Sequence, residues 1–292
     1  MYDICCVGHI TLDKVVTTKA TFHMPGGTAI YFSSAIRNMP LKYSLVTSLA
    51  GKEMDIVAGL REKGIEITVL PSNHTVYFEN IYAENQDHRT QRVTQKADPF
   101  LQGVWNEMEA TIYHLGPLLA DDIPVSLIKM LAAKARVSLD VQGYLREVRN
   151  ENVYPIDWVD KLEALRYIDI LKANEHEMEV LTGSSDVYTA ARILNEWGVK
   201  EVVITLGSMG SVIYKEAVFY HIPAYKPIAI VDATGCGDTY MAGYLYQRIN
   251  GADIQEAGEF AAAMATLKIE SSGPFTGNRQ DVEEVLRTHA VG

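Results

Sequence analysis

A chain of 292 residues, 48% hydrophobic and 22% charged, has the balance of a globular protein with an extensive core, which excludes disorder and fibrous repeats. The 26 Lys and Arg against 37 Asp and Glu leave a net charge of -11, a sign that opposes counterion-release binding and argues against nucleic acid as a partner. No run approaches the roughly 18 apolar residues of a membrane span, and the start from Met1 to Gly8 lacks a basic region followed by a long apolar core, so the expected location is the cytoplasm, away from membranes. Three cysteines cannot frame a disulfide scaffold, and the adjacent Cys5 and Cys6 read as small buried hydrophobes.

In chain order, Ile4 to Val7 reads as a buried strand, and a helix from Ala29 places Phe32, Ala35, Ile36 and Met39 on one face. Tyr43 to Leu49 is strand-like, Glu53 to Lys63 helical with Gly64 as its stop, and Ile65 to Leu70 again strand-like. Ile112 to Leu115, Val137 to Val141, Tyr167 to Leu171 and Val202 to Leu206 are short apolar runs separated by helical patterns, the signature of a parallel sheet with crossover helices. Before the last of them, Val187, Ala190, Ala191 and Leu194 form a helical stripe that Asp186 caps and Gly198 follows. Two segments break this α/β pattern, Lys14 to His23 and Val76 to about Val93, and are expected to be strands of a small lid growing from the same domain.

The segment Asp232-Ala233-Thr234-Gly235-Cys236-Gly237-Asp238 precedes a helical stripe of Ala242, Leu245, Tyr246 and Ile249. Its glycines let the backbone approach a ligand and aim N–H groups at it, and a helix N-terminus adds about half a positive charge, so an anion site is predicted. An Asp beside bound phosphate is repelled unless it is needed as a base, so Asp238 points to removal of a hydroxyl proton as that hydroxyl attacks phosphorus. The competing structural reading is a glycine-rich turn with Asp238 capping the helix. The G-x-G here is followed by Asp and Thr, which argues against a dinucleotide fingerprint, and no Walker A pattern occurs.

With four further motifs in order, this stretch resembles the C-terminal signature of the ribokinase, or PfkB, family of carbohydrate kinases. Gly8-His9-Ile10-Thr11-Leu12-Asp13 is similar to the family's G-x-x-x-x-D, which implies that Asp13 binds substrate hydroxyls, and Gly26-Gly27, followed by Thr28, is similar to its paired glycines under the sugar. Lys172-Ala173-Asn174-Glu175-His176-Glu177 is similar to N-x-x-E, which implies that Asn174 and Glu177 help hold Mg²⁺ and phosphate, Glu177 through water. Thr205-Leu206-Gly207-Ser208-Met209-Gly210 is similar to T-x-G-x-x-G and implies Thr205, Gly207 and Gly210 beside the nucleotide. By the same resemblance Ala262, on the Ala261 to Ala263 face, lies against the purine, although alanines on a helix are core residues by default. Asp232 with the loop from Glu270 to Gly273 resembles the family's monovalent-cation site, which implies K⁺ beside ATP and Mg²⁺. The resemblance spans the chain. It implies one ribokinase-like α/β domain over 1–292, a central mostly parallel sheet flanked by helices with a small β lid from about 14–23 and 76–93, in which Asp238 and the backbone of Gly235, Cys236 and Gly237 carry the chemistry.

Where sugar kinases of the family commonly place an Asn after the paired glycines, this chain has Thr28-Ala29-Ile30-Tyr31-Phe32. That stretch is similar to the plant-type inositol kinases of the family, as are Asp87-His88-Arg89 with Arg92 and Asp140-Val141-Gln142. The implied substrate is a cyclitol or other polyol contacted by Gln142 and Arg89, with a nucleoside or simple sugar as the alternative. A silent sensor of sugar or nucleotide is the reading from another class; Asp238, its flanking glycines and Glu177 favour catalysis, because a sensor needs no base. His9 either lines the pocket or is a hydrogen-bonded structural residue, and His114, His176 and His221 lack metal-ligand spacing. The Cys236 thiol is reactive if it faces the anion site and inert if it faces the core. Apolar Val76, Phe78 and Ile81 on a small exposed sheet would favour a homodimer formed through the lids.

Overall fold

The computed structural model describes residues 1–16, 21–82, 89–101 and 105–289, with Tyr82, Arg89, Thr90 and His289 described by their backbone alone. The chain begins with β1 (Tyr2–Val7), the antiparallel pair β2 (Thr11–Val16) and β3 (Thr21–Gly26), and helix α1 (Thr28–Ile36). β4 (Tyr43–Ala50), α2 (Met54–Glu62), β5 (Glu66–Ser72), β6 (Val76–Tyr82) and β7 (Arg89–Gln95) follow, then β8 (Ala110–Leu115), α3 (Val125–Ala132) and β9 (Arg136–Asp140). Next come β10 (Arg146–Arg149), β11 (Asn152–Pro155), the short α4 (Lys161–Ala164), β12 (Ile170–Asn174), α5 (Glu175–Thr182) and α6 (Val187–Glu196). The chain continues with β13 (Glu201–Thr205), β14 (Ser211–Lys215), β15 (Val218–Ile222), α7 (Cys236–Ile249), α8 (Ile254–Ile269) and α9 (Arg279–His289).

Among the described residues the strands form two sheets. The larger has the order β15-β14-β13-β12-β9-β8-β1-β4-β5, parallel from β5 to β13 and antiparallel across β14 and β15. Alternation along β1 shows why helices cover both faces: Ile4 and Cys6 join the apolar core beneath α1, α2, α7 and α8, while Cys5 and Val7 join the one beneath α3, α5 and α6. Local signals fix the ends. Asp186 accepts the Thr189 N–H at 2.8 Å to cap α6, and Gly64 follows α2 with a φ of +83°. Tyr167, expected to begin a strand, instead closes a tight turn, and β12 starts at Ile170.

The smaller sheet has the order β10-β11-β7-β6-β2-β3. The segments without helical period supply four of its strands, whereas β10 and β11 were not legible as strands. Their turn rests on Asn150 and Glu151, both at positive φ with no glycine to signal it. Val76, Phe78 and Val93 of this sheet are buried against Ala97, Leu118 and Leu119 of the same chain. Val76 and Phe78 are therefore not the exposed apolar residues expected of the lid, whereas Ile81 is half-buried. No helix among the described residues is long and apolar enough to cross a membrane.

Phe78 packs the smaller sheet onto the body of the chain, so Phe78→Ala is expected to cost about 3–5 kcal/mol in urea unfolding. An unchanged midpoint would mean that this face is not packed in solution.

Candidate active site

Parallel strands deliver their carboxyl ends to one edge of the sheet, the usual place for a ligand crevice. There β9 ends at Asp140, β12 at Asn174 and β13 at Thr205. Within β12 one lysine interrupts an apolar strand: Lys172 is buried, and its register partner across the ladder is Asp140. Its Nζ donates to Asp140 Oδ2 at 2.9 Å and lies 3.7 Å from Glu177 Oε2. Burial opposes the charge, but Asp140, Glu177 and Asp238 outweigh it and hold the ammonium well above the ordinary lysine range. A Cβ on Gly237 would stand 3.0 Å from this Nζ, so the ammonium lies directly beneath the first turn of α7.

Asp238 belongs to that first turn. The N-cap of α7 is Gly235, at a φ of +75° and without a side-chain cap, so the reading of Asp238 as a helix cap does not hold. Gly235 is required twice, for its backbone angle and because a Cβ would lie 2.1 Å from the Tyr31 ring. Burial raises the Asp238 carboxyl from 3.8 to about 7; Asp140 and Glu177 add to the rise, while Lys172 and a hydrogen bond from the Thr28 hydroxyl oppose it. Thr28, expected to touch substrate, is thus a partner of Asp238 at the start of α1, packed where a Cβ on Gly116 would collide with it.

Asp13 lies on β2 of the smaller sheet. Thr11 Oγ1 donates to its Oδ1 at 2.7 Å, and a Cβ on Gly26 would come within 2.6 Å of its Oδ2. Gly27 has a φ of +82°, and a Cβ there would meet the His9 carbonyl at 2.5 Å. The paired glycines therefore let β3 and α1 close on Asp13. His9 itself is structural: Nε2 lies 3.0 Å from the Asp98 carbonyl, Nδ1 lies 3.3 Å from Asp122 Oδ2, and the ring packs on Phe100. Burial opposes its protonation, and Asp122 outweighs burial and raises its pKa.

The remaining expected residues divide. Asn174 and Glu177 form a reciprocal capping box on α5, each side chain accepting the other's N–H at 2.8 Å. Gln142, expected on the substrate, donates to Glu177 Oε1 at 3.3 Å. Thr205 stands beside Asn174 at the end of β13, and Gly207 and Gly210 turn the chain into β14 at φ of +58° and +91°. Ala262, expected against the purine, packs in the apolar core with α7, the default place of alanines on a helix. The Cys236 sulfur is 3.8 Å from the Ala265 carbonyl, and burial raises the thiol to about 11, which favours the inert, core-facing alternative for this residue. At Asp232, which the resemblance ties to a monovalent cation, the Lys268 ammonium donates to the Asp232 carbonyl at 2.8 Å. Asp87, His88 and the Arg89 side chain lie outside the described residues, and Arg92 pairs with Glu79 and Glu151.

Lys172 and Lys268 were missed as site residues. A lone lysine between Leu171 and Ala173 in a strand buried on both faces was the available signal, because a buried ammonium demands an acidic partner.

A carboxyl raised by folding favours the folded state fully below its unfolded pKa near 4, and that contribution is lost as pH rises through about 7. Asp238→Asn is therefore expected to raise the melting temperature by several degrees at pH 8, from relief of on the order of 2–4 kcal/mol, with little change at pH 4. Equal differences from the parent at both pH values would contradict the raised carboxyl.

The geometry agrees with comparisons to known proteins. Residues 2–281 match the model of the pfkB family of carbohydrate kinases. A cytidine kinase of Thermococcus kodakarensis is 29% identical over 278 residues, covering 88% of this chain and 92% of that protein. A pyrophosphate-dependent kinase of the ribokinase family, solved with a pyrophosphate analogue and myo-inositol, superposes with a TM-score of 0.85 at 28% identity over 96% of this chain and 99% of that one. Arabidopsis thaliana ribokinase in complex with ribose and ATP gives a TM-score of 0.80 at 22% identity over 98% and 99%, a likeness of fold. With a ribokinase-like α/β fold and a family match over nearly its whole length, the chain belongs to the pfkB family of carbohydrate kinases.

Proposed function

We propose that the chain transfers the γ-phosphoryl group of ATP to a hydroxyl of a small cyclic polyol, a cyclitol of the inositol type. The observation that carries this reading is the Asp238 carboxyl, raised to about 7 at the N-terminus of α7, where the free N–H groups of a helix favour an anion. Asp13, oriented by Thr11, accepts hydrogen bonds from acceptor hydroxyls, and the smaller sheet that bears it covers the acceptor. Asp238 takes the proton of the attacking hydroxyl, and the amides of Gly235, Cys236 and Gly237 offset charge on the transferring group. Each role extends the observed geometry by a substrate.

The acidic cluster suits Mg²⁺ that arrives with the donor. Asp140, Glu177 and Asp238 surround one ammonium and leave surplus negative charge, yet no three His, Cys, Asp or Glu among the described residues form a metal cage. An ion that keeps several waters would match this set, and Glu177 and Asp140 would be the residues that hold it. Mg²⁺ supplies charge neutralisation on the donor phosphates; the chain's residues hold and align the reactants. ATP is taken as the donor because exposed Ile228, Ile230 and Val231, just before the anion loop in the sequence, offer apolar surface to a base, which pyrophosphate lacks. A nucleoside acceptor is the second reading, supported by the cytidine kinase likeness across 88% of the chain.

The test is product formation with MgATP or magnesium pyrophosphate against inositols, cytidine and other nucleosides, pentoses and hexoses. ADP formed with an inositol is the expected result. Turnover with pyrophosphate alone would overturn the donor, preference for cytidine would overturn the acceptor, and no turnover with any pair would favour a binding-only role. Asp238→Asn should lower kcat by roughly 10²- to 10⁴-fold with nucleotide affinity retained. A kcat within a few fold of the parent would remove Asp238 as the base.

A further inference from the structure

Lys268 lies in the last turn of α8, and none of its side chain is exposed. A lysine at a helix C-terminus commonly reaches the last carbonyls while its ammonium stays in water. Here the ammonium is turned inward. It donates to the Ser271 carbonyl at 3.2 Å and to the Asp232 carbonyl at 2.8 Å, and lies 3.6 Å from Asp232 Oδ2. The same carboxylate accepts the N–H of Thr234 at 2.9 Å and of Gly273 at 3.4 Å. The end of α8, the loop after it and the entry to the glycine-rich loop of α7 therefore meet at one buried positive charge.

Two carbonyls and a carboxylate around a monovalent charge are the hard oxygen donors that an alkali cation uses. The charge is already supplied by the chain. An added K⁺ would have to share the same oxygens with an ammonium at contact distance, so the residues present do not fit the K⁺ that the resemblance implies. We propose that Lys268 is a tethered monovalent cation: its ammonium performs at Asp232 the ordering that soluble K⁺ would otherwise perform, and the protein works without K⁺. Lys268 is a positioning residue, since it acts through Asp232 on the loop that presents the Gly235 to Gly237 amides.

The activity arm rests on the kinase reading, and the stability arm stands without it. For the parent protein, melting temperature and kcat/KM should be the same in choline, Na⁺ and K⁺ chloride at equal ionic strength. Lys268→Ala removes the charge and opens space, so its melting temperature should be lowered in choline and restored by about 100 mM K⁺ or NH₄⁺, as a ligand of the folded state would do. Its kcat should fall roughly 10- to 100-fold in choline and recover in part with K⁺. Lys268→Met, which removes the charge and leaves the space filled, should be destabilised and not rescued. If Lys268→Ala fails to fold in choline, refolding in K⁺ should recover it. Activation of the parent by K⁺ beyond a few fold, or a Lys268→Ala melting temperature or refolding yield indifferent to K⁺, would overturn the proposal. Absence of turnover in the parent would count against the kinase reading and leave the melting and refolding results readable.

Discussion

The Lys172 ammonium is the charge on which the rest of the site depends. Taking a lysine out of water costs several kcal/mol unless acidic groups surround it, and three do: Asp140 across the β-ladder, Glu177 at the start of α5 and Asp238 at the start of α7. Each arrives on a different element, so the ion cluster ties β9, β12, α5 and α7 together at the carboxyl edge of the sheet. With three carboxyls against one ammonium the balance stays negative. Burial, with that surplus, lifts the Asp238 carboxyl toward neutrality instead of letting it ionise as a surface carboxyl does.

The backbone around this cluster is shaped by close approaches. Gly237 leaves room for the ammonium, Gly235 passes over the Tyr31 ring, Gly116 makes way for Thr28, and Gly26 lets β3 close on Asp13. The result brings an electropositive helix end, a near-neutral carboxyl and an oriented carboxylate on a second sheet to one edge of the molecule. Alignment and charge compensation are the main requirements of phosphoryl transfer, which explains why the protein needs few unusual groups beyond these. Lys268 supplies at Asp232 a second buried charge, again one that the chain itself provides.

Much of this was legible in the sequence where the signal is local. The apolar run from Ile4 to Val7, the stripe from Val187 to Leu194 with its Asp186 cap, and the motifs need only neighbours along the chain to be read. What was missed depends on contacts between distant segments. Lys172 gains meaning only when β9 brings Asp140 beside it, and Lys268 only when the loop before α7 folds back on the end of α8. The β10 and β11 pair carries charged residues and a turn without glycine, so it lacks both period and punctuation. Which way Ala262 and the Cys236 sulfur face was left open by the sequence, since only packing decides it: the first lies in the core and the second points to the Ala265 carbonyl.

Burial and a surrounding ion cluster hold the Asp238 carboxyl near neutrality, and the proposed transfer has it take the proton of the attacking hydroxyl. The pH dependence of kcat/KM tests this most directly, since it reports the essential base of the free enzyme. An acidic limb with its midpoint at about pH 7 is the predicted result. A profile that stays flat from pH 8 down to pH 5 would contradict it.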